Sequence, residues 1–426
     1  MIAWALQIAM GSTLTTFDAL LKRRYENKAR VEKLMYGDRP LLGMLQKRGD
    51  TGMVGSSMPV PFIYSNPQGV SAGFSTAQTN NTNVKPDQWL ITAGDYYGVV
   101  EIGDKVLAAS RNNVGAFLDN KITETDGLYE QCSENLDIYL WGNGGQAIGQ
   151  RASLSTNTVT LSSPEQAANF EVGMTVVASS ADGSTATDTL RAGSTTVTAV
   201  DRSNGTVTLA SAAAITSFAN NDYLFRQGDF FGTSGTIVIK GVQTFVTSSD
   251  TPMALWGVSA AQRLVDLQRY SGCRVPTSVI TNRSFEERIR ILGSYMAGRY
   301  KSDMSGDLVS FWHPEDWQVL ETLMLSRGVR PAEDESTQFG YVSITAVIGG
   351  KMVKCYSARN CPKGSAFVFN LKNWWISSML DLLHPQNGDG LEMLRRDAST
   401  DYEYRLVSYP LLACNAPKNS GRVSLL

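Results

Sequence analysis

The chain has 426 residues and a mass of 46.4 kDa, enough for more than one domain and a sizeable core. Hydrophobic residues make up 42% and charged residues 18%, a globular composition below the usual charge content of about 25%. Lys and Arg total 38 against 40 Asp and Glu, and this balance of -2 excludes nucleic-acid affinity driven by total charge while leaving room for a local basic patch.

The first ten residues, MIAWALQIAM, are apolar but too short to span a bilayer, and no Lys or Arg precedes them as in a signal peptide. With no long apolar run later, the expectation is a soluble protein that is not exported. GSTLTTFDALL then reads as a fresh helix cap, which makes Met10 an alternative start to Met1. Thr16 to Tyr36 is predicted as an amphipathic helix. Phe17, Leu20, Leu21, Val31 and Leu34 are its apolar positions, and Lys22, Arg23, Arg24, Lys28, Arg30 and Lys33 make it basic. The basic residues are read as a solvated face, with DNA or an acidic partner as the functional alternative.

Met58 to Tyr64 is a short strand whose Pro59 and Pro61 suit a sheet edge. A polar stretch rich in Gly, Ser, Thr and Asn follows. Strand-like sequence resumes at Trp89 and is expected to continue through Tyr96 to Ile102, closing a large hairpin. A tip this long fits poorly inside a compact domain and suits an arm laid on a neighbouring molecule.

Gly115 to Trp141 is the clearest predicted helix. Leu118, Ile122, Thr125, Tyr129, Cys132, Leu136 and Tyr139 alternate in steps of four and three. Asp119, Glu124, Asp126, Glu130, Glu134 and Asp137 are expected on the other face. Gly142-Asn143-Gly144-Gly145 follows at once. Phosphate-binding loops follow a strand and open a helix, whereas here the glycines meet the carbonyl end, which repels anions. They are read as a C-cap with a flexible exit.

Ala152 to Gly228 is dominated by small and polar residues. Strands are expected at Thr158 to Leu161, Met174 to Ser179, Ser194 to Val200, Gly205 to Ala210 and Asp222 to Phe225. Asp201 to Gly205 is a tight turn with an Asn-Gly signal, and Pro164 to Ala168 a helical turn. This reads as a small β-barrel or sandwich inserted into another domain. Thr236 to Val246 is predicted to resume as β-structure, Ser259 to Tyr270 and Ser284 to Lys301 as helices. Pro314 opens a further helix with Glu315 and Asp316 in its first turn. Trp317, Leu320, Met324 and Leu325 are its expected buried face, and Gly328 its end. Val342 to Leu426 is mostly strand-like, with a loop near Pro385 to Gly390.

No catalytic, cofactor-binding or metal-ligating constellation emerges, so no enzyme is expected. Only His313 and His384 are present, and His313 beside Glu315 and Asp316 is read as a helix start. The pairs Glu286-Glu287 and Glu333-Asp334 are placed in a helix start and a polar loop. Cys132, Cys273, Cys355, Cys361 and Cys414 include no C-x-x-C pair and are expected as buried reduced thiols. The eight tryptophans, Trp374-Trp375 among them, are expected in cores and interfaces.

In this order the elements resemble the major capsid proteins of tailed bacteriophages, the Hong Kong 97-type fold. Four stretches add to the likeness: Lys240 to Tyr270, HPEDWQVL (His313 to Leu320), Gly349 to Trp375, and Tyr402 to Leu426. The resemblance implies an α+β fold divided as follows: 1–51 an N-terminal arm, 52–104 an extended β-hairpin loop, 105–151 the spine helix and start of the peripheral domain, 152–228 the inserted small β-domain, and 229–426 the axial and remaining peripheral domain. It implies self-assembly as pentamers and hexamers into an icosahedral virion shell, formed in the host cytoplasm and without a membrane. Double-stranded DNA would lie non-specifically on its inner face, and scaffolding, portal and decoration proteins are further implied partners. Some relatives crosslink a hairpin Lys to an Asn. Lys85 is the only Lys in the distal half of the hairpin, and no Asn partner matches, so crosslinking is not expected. Alternatives are a bacterial nanocompartment shell, a nucleotide-handling enzyme using Gly142 to Gly145, and a tail or surface-binding protein.

Overall fold

The computed structural model describes residues 33, 35–49, 57–104, 114–306, 308–328, 331–333, 341–386, 393–396 and 401–425, with the side chains of 114–123 and 332–333 left aside. The predicted helix at Thr16 to Tyr36 lies almost wholly outside them. The described chain opens with helix α1 (Pro40–Met44) and strand β1 (Gln46–Arg48). Next come β2 (Ser57–Ser65), a short helix α2 (Phe74–Thr79), β3 (Lys85–Thr92) and β4 (Tyr96–Ile102). The spine helix α3 spans Val114–Trp141, 28 residues, or about 42 Å.

β2 and β3 form a two-stranded hairpin of their own. The predicted continuation into β4 is wrong. The chain breaks at Ala93–Asp95, where the Gly94 and Asp95 amides donate to Pro410 O (3.0 Å) and Ile237 O (2.9 Å). β4 then pairs with β20 (Tyr402–Ser408) instead. One strand-like run is thus divided between two sheets, a division that alternation alone does not reveal.

Beyond α3, six strands close a barrel in the order β10-β5-β6-β9-β8-β7. They are β5 (Gly149–Ser155), β6 (Thr158–Leu161), β7 (Thr175–Ser179), β8 (Thr195–Asp201), β9 (Thr206–Leu209) and β10 (Tyr223–Arg226). Five match the predicted strands to within a residue or two. The sixth, β5, begins three residues before the compositional change at Ala152. Val159, Val176, Val197, Val207, Leu209 and Leu224 fill the interior. Arg191 clamps Asp222 through two bonds of 2.5 and 2.7 Å. At the β8–β9 turn Asp201 Oδ1 accepts from the amides of Ser203 (2.9 Å) and Asn204 (3.1 Å). Every strand pairs on both sides within the barrel, so residues 149–226 expressed alone are expected to fold. Dispersed, protected amides in exchange NMR would show it; unprotected amides would mean that the host supplies part of the core.

The predicted β-structure from Thr236 to Val246 is absent. The Gln146 side chain does the work of a neighbouring strand there, accepting from Val238 N (2.7 Å) and donating to Thr236 O (2.9 Å). A helical turn, α4 (Val242–Phe245), follows. The single helix predicted over Ser259 to Tyr270 is two, α5 (Ala260–Arg263) and α6 (Leu267–Ser271), because Ser259 and Asp266 each cap a new start. Then come β11 (Cys273–Arg274), α7 (Thr277–Ile280) and α8 (Phe285–Ser294). A capping box between Ser284 and Glu287 opens α8, and a π-helical turn ends it at Tyr295–Arg299. β12 (Leu308–Trp312) leads into α9 (Pro314–Leu325). Trp317 and Leu320 are buried as expected, but Leu325 is 48% exposed and Met324 only partly covered. The helix packs through its first two turns and its end runs into solvent.

The rest is β-rich: β13 (Ala332–Glu333), β14 (Val342–Ile348), β15 (Lys351–Ser357), β16 (Ser365–Asn370), β17 (Trp374–Ser378), β18 (His384–Pro385), β19 (Met393–Arg395), β20, β21 (Pro410–Cys414) and β22 (Gly421–Ser424). Glu333 therefore sits in a short strand rather than the expected loop, and Asp334 lies outside the described residues. Seven strands form the main sheet, β11-β22-β16-β12-β15-β14-β13. Both its faces are covered, so β12 and β16 are buried at every residue. Alternation still sorts them. Phe311, Phe367 and Phe369 face the spine helix; Trp312, Val368 and Ala366 face α8.

Candidate assembly surfaces

Aromatic rings connect the hairpin root to the sheet. Phe62 stacks on Trp89 (4.8 Å), Trp89 meets Phe245 (5.8 Å), Phe245 meets Trp374 (5.5 Å), and Trp374 meets Phe369 (5.3 Å). Trp141, the last residue of α3, packs on Phe367 at 5.6 Å and Phe311 at 5.7 Å. Asp87 pins the root further, accepting from Gln262 Nε2 (2.6 Å) and Tyr270 OH (2.7 Å). The base of the hairpin therefore belongs to the core of the chain.

Its tip does not. No residue from 66 to 84 is buried, and the segment carries no charged side chain. Val70 is 85% and Phe74 79% exposed. The tip is shaped from within: Gln68 N donates to Thr82 Oγ1 (2.9 Å), and α2 gives it one helical turn. Pro59 and Pro61 lie in a strand with one free edge and withhold two amides from further pairing. An uncharged surface on a rigid stalk meets another protein at little desolvation cost. Lys85 stands exposed at the tip's base.

The spine helix is one-sided only in its described first half. From Ser133 onward every residue except Glu134 is buried, including Asp137, which was expected in solvent. It is enclosed by β4, α4, the sheet, the barrel root and the segment around α1. Arg226 donates to Asn135 Oδ1 (2.8 Å) and Tyr139 OH to Asp229 Oδ2 (2.6 Å). Arg39 donates to Glu134 Oε2 (3.0 Å), Arg359 pairs with the same carboxylate, and Asn360 Nδ2 donates to Asp137 Oδ2 (2.8 Å). Asp137 Oδ1 is buried with no hydrogen bond. Burial raises Glu134, but hydrogen bonds and charge from Arg359 and Arg39 outweigh it and hold the carboxyl below its ordinary value. Burial pushes Asp137 up to about 7, with the neighbouring Glu134 charge adding to it.

Asp137 therefore favours folding most when protonated. Its contribution is full below the ordinary carboxyl value and is lost as pH rises through about 7. Asp137→Asn is expected to flatten the stability profile between pH 4 and 8 and to raise stability at pH 8 by about 1–3 kcal/mol. Urea midpoints for both proteins across that range check it; parallel curves would contradict it.

The glycines after α3 end it as predicted. Gly142 N donates to Tyr139 O (3.0 Å), and Gly144 adopts φ +88°. The exit is packed, however, not flexible. A Cβ on Gly145 would stand 2.0 Å from Asp182 O of the barrel, and Asn143 Nδ2 donates to Asp182 Oδ2 (2.6 Å). His313 caps α9, its Nδ1 accepting from Glu315 N (3.3 Å), and burial lowers its pKa. Asp316 accepts from Gly364 N (2.7 Å) and Glu315 pairs with Lys363. These contacts build the start of α9. All five cysteines are buried and free, and burial pushes their thiols up. Among the described residues no group of His, Cys, Asp and Glu is set to hold a metal, and no helix is long and apolar enough to cross a membrane.

No known family matches the sequence, and no curated protein does. Solved structures do. The chain is similar to the capsid protein of Cyanophage A-1(L), with 12% identity over 91% of this chain and 93% of that one, at a TM-score of 0.46. The capsid of Ralstonia phage GP4 matches with 9% identity over 91% of each chain, TM-score 0.42. A virus-like particle from Pyrococcus furiosus matches with 9% identity over 93% and 96%, TM-score 0.35. The chain itself shows an α+β fold in which a projecting hairpin, a long spine helix, a glycine exit, an inserted barrel and a doubly covered sheet follow one another. That is the element order expected of a Hong Kong 97-type subunit.

Proposed function

We propose that this chain is the major head protein of a tailed bacteriophage. It assembles with copies of itself as pentamers and hexamers into an icosahedral shell around double-stranded DNA, in the host cytoplasm. One observation carries the reading: the uncharged tip at residues 66–84 projects from a root buried in the core, and none of its residues is buried against the described chain. A surface presented so rigidly, with Val70 and Phe74 in water, is explained by a neighbouring copy that covers it. Many such modest contacts hold a shell through multivalency. The role is structural, and it assigns no catalytic, cofactor or metal residue. The near-neutral net charge suits a wall that touches DNA on one side without sequence preference. Scaffolding, portal and decoration proteins are its further proposed partners. The division at 52–104 and 152–228 is kept as a proposal, with the hairpin drawn back to Thr92 and the barrel forward to Gly149.

Electron microscopy of particles purified from cells expressing the chain, with their nucleic-acid content, tests this. Uniform closed shells support it. A dispersed small species would overturn it. Shells that package protein without nucleic acid when a DNA-packaging partner is supplied would favour a nanocompartment.

A further inference from the structure

A cavity of about 170 Å³ lies where three parts of the chain meet. Asn143 comes from the spine exit, Asp182 and Ser184 from the barrel, and Lys240 with the 243–263 segment from the host domain. Two of its wall residues are cations without a carboxylate partner among the described residues. Arg263 is 2% exposed. It donates only to carbonyls, Met253 O (2.7 Å), Thr244 O (2.8 Å) and Tyr270 O (3.4 Å), and its Nε has no partner. The Lys240 ammonium rests over the rings of Phe231 (4.6 Å) and Trp256 (4.7 Å). Burial and the charge of Arg263 lower the Lys240 pKa, and burial takes Arg263 down to about 10.

The acidic groups nearby are already engaged. Asp182 accepts from Asn143 Nδ2 (2.6 Å), Ser184 N (3.0 Å) and Ser184 Oγ (2.5 Å). Asp250 pairs with Arg274 outside the cavity. The rest of the wall is rich in hydroxyls, with Thr244, Thr247, Ser248, Ser249 and Thr251 on one side. Two cations against the single carboxylate of Asp182 leave net positive charge in a partly enclosed, hydroxyl-lined space, which has the chemistry of an oxyanion site. A water takes about 30 Å³ of liquid volume, so the space holds a small ion with some of its hydration.

We propose that this cavity binds a small tetrahedral oxyanion, phosphate or sulfate, between Lys240, Arg263 and the Ser248–Thr251 hydroxyls. Bound there, the ion braces the barrel against the host domain, because its walls come from both. The phosphate could be the free ion or one carried on a nucleic-acid backbone. The inference does not depend on shell formation.

The test is titration of the full chain with sodium phosphate in a phosphate- and sulfate-free buffer. Sodium chloride at equal ionic strength and a short DNA duplex form parallel arms, and binding heat and thermal midpoint are both read. Saturable phosphate binding that raises the midpoint is expected, with no such effect of chloride. Lys240→Met, which keeps the stem over the two rings, is expected to weaken binding about tenfold or more, while Lys240→Arg retains it. Arg396→Gln, a distant surface change, should bind like the parent. If Lys240→Met does not fold by circular dichroism, the Ser248→Ala/Ser249→Ala variant decides in its place. Competition by duplex DNA would assign the site to backbone phosphate, and its absence to the free ion. No saturable binding, or equal binding by parent and Lys240→Met (or its replacement), would overturn the proposal.

Discussion

Leu136→Asp is expected to destabilise the subunit by about 4 kcal/mol or more, a large part of the roughly 5–15 kcal/mol that holds a domain together. Leu136 is fully buried in the half of the spine helix that other elements enclose. Its replacement by Asp removes the apolar contacts of a full side chain and leaves a charge without a partner. Leu136→Met, which nearly conserves volume, should cost less than about 1.5 kcal/mol. Thermal and urea unfolding of the three proteins measures both. Equal midpoints for Leu136→Asp and the parent would mean that the helix register is wrong.

Replacing residues 66–84 by a two-residue turn is expected to do the opposite: it spares folding and abolishes closed shells. The tip contributes no buried residue, whereas Phe62, Trp89 and Asp87 at the root remain in place. The truncated chain should unfold within a few degrees of the parent, since surface changes away from buried groups are worth about 0.5 kcal/mol. Sedimentation and microscopy read the second effect. Normal-sized particles from the truncated chain would remove the tip from the assembly contacts.

Much of the fold was legible in the sequence where one local rule acted alone. The four-three spacing of Tyr129, Cys132, Leu136 and Tyr139 located the spine helix, and all four are buried. Ser284 with Glu287, and Pro314, marked helix starts that local chemistry sets, whereas the helix expected to end at Gly328 stops at Leu325. The barrel strands followed from short Val- and Thr-rich runs between turns.

Legibility failed where distant chain decides. Between β3 and β4 only Gly94-Asp95 gives a local sign; the break is fixed because Pro410 and Ile237 carbonyls receive the two amides and Val238 O leaves no room for a Cβ on Gly94. Asp137 and Glu134 look like a solvated acidic face until Arg39, Arg359 and Asn360 arrive from far along the chain. Gln146 standing in for a strand, and the meeting of Lys240 with Arg263, have no periodic signature either. That the hairpin tip stays out of the core was legible from its length and polarity.

We propose that the tip at residues 66–84 completes its contacts on another copy of the chain. A cryo-electron microscopy reconstruction of purified particles, at a resolution that traces strands, tests it most directly. A closed shell is expected in which each tip lies across a neighbouring copy, with Val70 and Phe74 covered there and the β2–β3 root unmoved. A shell in which the tip folds back on its own subunit, or leaves both side chains in water, would contradict it.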